Sequence, residues 1–358
     1  LSQLLAFSRT QREPGNMLLL TKVIACGLIR LWTGTAQDGK IVPGHRGARN
    51  NFYLFEIFFL GTSASAPSIK RGLSAQVVQH DEYRFLVDCG EGTQRQILQS
   101  GIGFKRLSRI LITHGHLDHI LGLAGLLSTF MRWETIDQME IYGGKAALER
   151  ISDLLYGVVL RGAQPPMPIE LRTIGSGTFI DESDFQVTAF PVYHRSPDSL
   201  GYLFEEKPRR PFLPEKADAL DIPPGPWRRD LVAGQTVTLP DGRRVSPDEV
   251  LGDLRVGTRL AYVGDVGDTE NLVEIVRDVD GLVIESTYLE EEREMARQFA
   301  HLTARQAAEL AQKAQVKRLI LTHISRRYRE KDVLQEAQVI FPETVVARDF
   351  DTYTLKRE

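Results

Sequence analysis

The stretch Thr113-His114-Gly115-His116-Leu117-Asp118-His119 places three histidines and an aspartate within six positions. Imidazole nitrogens and carboxylate oxygens in this mixture suit Zn2+ and related divalent ions. One three-ligand site would not use them all, so the cluster predicts a two-metal centre, and a two-metal centre predicts hydrolysis. A lone buried histidine is ordinarily a satisfied core residue. That account fails here, because crowded polar groups without compensation are costly to pack, and three of the chain's eight histidines lie in this one segment.

Such a cluster needs elements that deliver it. The apolar run Ile110-Leu111-Ile112 predicts a buried strand, with the histidines in the loop at its end. Extended alternation in that loop would send His114, His116 and Asp118 to one side, with His119 turning back beside them. The same pattern recurs. Tyr83–Val87 ends on Asp88, Phe190–Tyr193 on His194, Leu260–Gly264 on Asp265 and Leu319–Thr322 on His323. Layered α/β folds gather their active sites from loops at strand ends, so five strands ending on His or Asp predict one convergent site. Taken singly, each residue fits a capping or buried-pair role, and Asp88-x-Gly90 also suits a turn. A helix is expected from Ile120 to Phe130 with its N-terminus toward the site. Another is expected from Thr303, where Thr303-Ala304-Arg305-Gln306 has the form of a capping box.

The chain has 358 residues, 42% of them hydrophobic, enough for one large domain or two. A net charge of −3 excludes a general polyanion binder. Cys26 and Cys89 give no disulfide framework and fit a reducing, cytoplasmic compartment; Cys89 reads as a small buried residue rather than a ligand. Residues 1–50 differ from the rest. Lys22 and Arg30 interrupt their apolar segment, which therefore predicts neither a membrane span of about 20 apolar residues nor a signal peptide. This segment is expected to be a disordered extension or to lie outside the authentic chain, with the working domain at 51–358.

Between Pro208 and Pro226 lie six of the 17 prolines. Such density favours stiff extended backbone over helix or sheet. A hairpin follows over 236–245, with Asp241-Gly242 in its turn. Residues of about 203–256 are therefore expected to form an arm projecting from the body, an ordinary surface lid being the plainer account.

Taken together, these segments resemble the metallo-β-lactamase superfamily in His114-x-His116-x-Asp118-His119. Within it, the chain resembles the ribonuclease Z family of tRNA 3′-processing endonucleases over about residues 55–356. The resemblance rests on Phe59-Leu60-Gly61-Thr62-Ser63-Ala64, on Val87-Asp88-Cys89-Gly90-Glu91-Gly92-Thr93-Gln94, and on His194 with Gly201-Tyr202. It continues through Gly225-Pro226, His301-Leu302-Thr303, and Leu321-Thr322-His323-Ile324-Ser325 with Arg327-Tyr328. It implies an αββα sandwich carrying an extended Pro-rich arm.

The implied roles follow residue by residue. His114, His116 and His194 would hold one zinc, Asp118, His119 and His323 a second, with Asp265 bridging; Mn2+ is an alternative ion. Asp88 would orient a ligand histidine. Asp118 would take the proton of the attacking water, and His301 would stabilise the transition state or protonate the departing oxygen. Arg71, Arg327, Gly225 and Pro226 would contact precursor tRNA, the arm at its elbow, in a homodimer without membrane association. The product would carry a 3′ hydroxyl.

The chain departs from the family's usual form in the exchanged spacers Gly115 and Leu117, and in Gly72 where Asn commonly follows Arg71. Asp268 competes with Asp265 as the bridging ligand, but only Asp265 directly ends its strand. His301 opens a helix, where it also fits a packing or capping role, and Arg327 fits a solvated charge. Two other functions stand beside the first. One is a small-molecule phosphodiesterase, thioester hydrolase or lactonase on the same metals; the other is a metal-binding, RNA-associated protein without turnover.

Overall fold

The computed structural model describes residues 54–133 and 136–356; the expectation for residues 1–50 lies outside them. Two seven-stranded sheets face each other. In spatial order the first runs Thr352–Leu355, Phe55–Gly61, Ala75–His80, Tyr83–Val87, Arg109–Leu111, Met139–Gly143 and Ile169–Thr173. The second runs Thr344–Val346, Leu319–Thr322, Gly281–Glu285, Arg259–Tyr262, Leu200–Glu206, Phe185–Pro191 and Gly177–Asp181. Alternation along each strand sends one set of side chains between the sheets, where Phe55, Phe85, Tyr202, Phe204 and Tyr262 are buried.

The opposite faces bury equally apolar sets under helices. Leu86, Ile110 and Ile141 of the first sheet pack with Leu123, Leu127 and Phe130 of the helix Gly122–Trp133. Leu282, Ile284 and Leu321 of the second pack with Ala307, Leu310 and Ala311 of the helix Ala304–Lys313. Thr303 caps that helix in a capping box with Gln306. The architecture is therefore an αββα sandwich of the metallo-β-lactamase type. No helix among the described residues is long and apolar enough to cross a membrane.

The arm differs from expectation in two ways. The strand Leu200–Glu206 belongs wholly to the sheet and the next sheet strand begins at Arg259, so the insertion occupies 207–258 and is displaced toward the C-terminus relative to 203–256. Its prolines also start helices rather than only preventing them. Pro214, Pro226 and Pro247 each open one, over Pro214–Ala219, Pro226–Val232 and Pro247–Val250. A proline in a first turn gives up no intrahelical bond, and its fixed φ suits the helix. Ala217, Ile222, Leu231, Val237, Val245 and Val250 bury one another as a core separate from the body's. The hairpin pairs Val237 with Val245 and Thr238 with Arg244.

Candidate metal centre

The histidine loop is only partly extended. His116 has β-region backbone and caps a short helix, Leu117–Ile120, so Asp118 and His119 lie in a first helical turn. The expected alternation therefore stops at His116. Immediately afterwards the chain passes so close to the loop at Gly90 that a Cβ on Gly122 would stand 2.0 Å from the Gly90 carbonyl oxygen. From below, the buried Tyr202 hydroxyl donates to the carbonyl of Ile112 at 2.6 Å, and Leu200 N–H donates to that of Thr113 at 2.8 Å. The loop is thus pinned by both sheets.

The strand ends converge on one edge. His114, His116, His194 and Asp265 present ligand atoms within 4.8 Å of one another, as do Asp118, His119 and His323. Asp265 joins the two sets. Its Oδ2 lies 3.7 Å from His114 Nε2, 3.5 Å from His119 Nε2 and 3.9 Å from His194 Nε2, and its Oδ1 lies 3.4 Å from His323 Nδ1. Asp268 is exposed and accepts the backbone N–H of Glu270 at 2.7 Å, as a local cap does.

Outer hydrogen bonds fix which nitrogen each ring offers. His119 Nδ1 donates to Asp88 at 2.7 Å, His194 Nδ1 to the Ala300 carbonyl at 2.7 Å, and His114 Nδ1 to Thr113 Oγ1 at 3.0 Å. In each case Nε2 is left facing inward, the arrangement that tunes and orients a metal-bound histidine. Asp88 also accepts Thr113 N–H at 2.8 Å and its hydroxyl at 2.9 Å, and holds a left-handed φ of 58°. A non-glycine residue keeps such a conformation only where its surroundings over-determine it; His323, with φ 55°, is another at this site.

Burial decides the chemistry. Both Asp265 oxygens and the Nε2 atoms of His114 and His119 are buried without a hydrogen-bond partner among the described residues. Orphaned groups of this kind are costly, and here they point at common space. Burial holds His114 well below the usual imidazole range and depresses His116 and His194, favouring the neutral form that ligates. Burial acts to raise Asp265 and Asp118, but the surrounding histidines outweigh it and keep both carboxylates ionised. Burial likewise opposes a charge on His119, yet Asp265, Asp88 and Asp118 draw it well above its ordinary value. The neutral imidazoles of His114, His116 and His194 beside the ionised Asp265 and Asp118 fit a divalent cation.

One functional candidate was missed in the sequence. Glu285 is fully buried at the end of Gly281–Glu285, with its Oε1 accepting His301 Nδ1 at 2.8 Å. It also accepts the N–H groups of Val266 at 2.8 Å and Leu302 at 3.2 Å, and the Thr287 hydroxyl at 2.5 Å. The signal was available, since Leu282-Val283-Ile284-Glu285 is another apolar run ending on a carboxylate. Burial lowers His301, but Glu285 and Asp265 more than compensate, raising it to about 9. His301 and His116 line a cavity of about 310 Å³ with Ser65, Arg195, Tyr288 and Phe299.

The remaining candidates lie apart from the ligand cluster. Arg327 is half exposed, bonded to Glu292 at 2.8 Å. Arg71 differs from an open phosphate contact, because its guanidinium is committed to Thr62, the Ala347 carbonyl and Glu330. Gly225 and Pro226 start an arm helix, Gly225 at φ 126°. Cys89 is buried beside the site without facing it as a ligand.

Fold and ligand set together define a metal-dependent hydrolase of the metallo-β-lactamase superfamily. A beta-lactamase superfamily domain model matches residues 227–324, and the model of the anti-Pycsar protein Apyc1 matches 55–207. Ribonuclease Z of Bradyrhizobium diazoefficiens is 45% identical over 298 residues, spanning 83% of this chain and 99% of that one. Ribonuclease Z of Archaeoglobus fulgidus is 41% identical over 302 residues, spanning 83% and 96%. The structure of human tRNase Z, short form, is similar with a TM-score of 0.60 and 26% identity, covering 84% of this chain and all of that one. The chain belongs to the ribonuclease Z family.

Proposed function

We propose that this chain is a cytoplasmic endoribonuclease that removes the 3′ trailer from precursor tRNA and leaves a 3′ hydroxyl. The observation that carries the reading is the buried, unpaired set of inward-facing ligand atoms around Asp265, beside the Glu285–His301 pair. His114, His116 and His194 would hold one divalent ion, and Asp118, His119 and His323 a second, with Asp265 shared. Zn2+ suits these ligands, and Mn2+ is the alternative. Bound there, the ions supply Lewis acidity and lower the pKa of water.

The chain's own groups account for the proton movements. Asp118 has its carboxylate held by the Ser65 N–H at 2.9 Å and is only partly buried, so it can take a proton from an attacking water. His301, protonated at neutral pH and steadied by Glu285, can deliver a proton to the departing oxygen. Arg327, beside the cavity's Tyr288, is the candidate phosphate contact; Arg71 orders the neighbouring loop. The arm, with Gly225 and Pro226 at one helix start, would hold the tRNA elbow, in a homodimer across the subunit boundary.

The test is precursor tRNA with a 3′ trailer, incubated with and without chelator, followed by mapping of the new 3′ end. A single metal-dependent cut after the discriminator base, or after an encoded CCA, supports the reading. Hydrolysis of a small diester while the trailer stays on would retain the metal centre and remove the substrate claim.

A further inference from the structure

His80 is buried completely, yet it belongs to none of the machinery above. Its ring stands between those of Phe55 and Phe185, each with its centroid 4.8 Å away. An imidazole in such a cage is costly unless its nitrogens are engaged. Nε2 lies 3.1 Å from Oε1 of Glu206, the last residue of Leu200–Glu206 before the arm departs. The other oxygen of that carboxylate accepts the N–H of Thr258, where the chain returns, at 2.8 Å. Glu206 N–H in turn donates to the Thr258 carbonyl at 2.9 Å. One buried side chain of the first sheet thus holds, through one carboxylate, both roots of the arm on the second.

Beyond these roots the two chains stay paired. Arg209 and Arg255 exchange backbone hydrogen bonds at 3.0 and 2.8 Å, Gly252 N–H reaches the Pro211 carbonyl at 2.8 Å, and Leu213 N–H reaches that of Val250 at 2.8 Å. The stem is therefore a two-stranded ribbon carrying the helical head. Its base is tightened further by Lys207, whose N–H donates to the Asp184 carbonyl at 2.8 Å and whose Nζ lies 2.6 Å from Asp181. Gly257 leaves no room for adjustment, since a Cβ there would stand 2.2 Å from the Glu206 carbonyl oxygen. A ribbon from residue 206 to 213 is roughly 23 Å long, so a tilt of about 5° at its root moves the head by about 2 Å. Displacements of that size matter for a positioned substrate.

We infer that His80 is a positioning residue for the arm: through Glu206 it sets the direction in which the arm leaves the body, and so where a base-paired RNA held by the arm meets the metal centre. This rests on the arm being the substrate-binding element.

The test compares the wild type with His80→Leu, His80→Gln and Glu206→Gln. Each is assayed on trailered precursor tRNA, on a precursor reduced to its acceptor stem and trailer, and on bis(p-nitrophenyl) phosphate. His80→Leu keeps the bulk in the aromatic cage and removes the link. It should raise KM for the full precursor about fivefold or more, leave the stem substrate and the small diester unchanged, and be largely rescued by His80→Gln. A wild-type KM for His80→Leu on the full precursor overturns the inference. If His80→Leu loses diester hydrolysis as well, Glu206→Gln decides: a raised KM confined to the full precursor supports the clamp, and an unchanged one overturns it. Should the wild type cut the stem substrate as readily as the full precursor, the arm reading itself fails and the inference falls with it.

Discussion

Oε1 of Glu285 stands 2.8 Å from Nδ1 of His301, with the carboxylate fully buried and the ring opening toward the cavity. Two groups so placed act as a unit, and such units lose activity non-additively. His301→Ala and Glu285→Gln should each lower the cleavage rate by roughly 10²- to 10³-fold, and the double variant should fall little further. Single-turnover rates with metal content measured in parallel check this. Additive losses, or lost metal, would assign the two residues separate roles.

The same pair predicts a pH effect on stability. His301 is raised from about 6.5 when unfolded to about 9 when folded. A raised imidazole contributes stability that is fully present below pH 6.5 and is lost as pH climbs through 9. Melting curves of chelator-treated protein should show the wild type losing its advantage over His301→Ala across that window. A gap that stays constant from pH 6 to 10 would contradict the pairing.

Asp265 and Asp268 separate cleanly by experiment. Asp265 offers both oxygens to the inward-facing histidines, whereas Asp268 caps Glu270. Asp265→Ala should leave the protein with half its metal or less after dialysis, and Asp268→Ala with all of it. Elemental analysis decides, and the reverse pattern would move the bridging role to Asp268.

Gly122 offers a test of how tightly the histidine loop is held. A methyl group there meets the Gly90 carbonyl oxygen at 2.0 Å, and backbone must shift to admit it. Gly122→Ala should destabilise the fold by about 1–3 kcal/mol and slow cleavage as the His119 segment moves. Unchanged melting and unchanged rate would show the contact to be soft.

Cys89 should be chemically silent. Burial raises its thiol to about 12, so almost no thiolate exists at neutral pH. Iodoacetamide at pH 8 should leave Cys89 unmodified in the folded chain and label it in denaturant. Rapid labelling of the native protein would mean that this loop opens readily.

Much of the site was legible because its ligands terminate short apolar runs, which sequence displays directly. Tyr83–Val87 and Leu319–Thr322 have the expected bounds. Glu285 was overlooked because a strand-terminal glutamate without a histidine beside it looks ordinary; its partner is 16 residues away in sequence. Proximity of Asp118 and His119 in a helical turn was equally hidden, since Leu117–Ile120 is too short for a periodicity signal. Proline density alone misjudged the arm, because proline opposes a helix interior and favours a helix start. The grip of His80 on Glu206 spans 126 residues and crosses between sheets, so no local pattern announces it.

His323 and Asp118 meet across a separation of 205 residues, and the edge strand Thr352–Leu355 pairs with Phe55–Gly61. During synthesis the histidine loop therefore emerges long before His323, which packs against it, has been made. The clustered side chains can come together only once nearly the whole chain has been made, and the long separation makes assembly of the site a late, non-local event in folding.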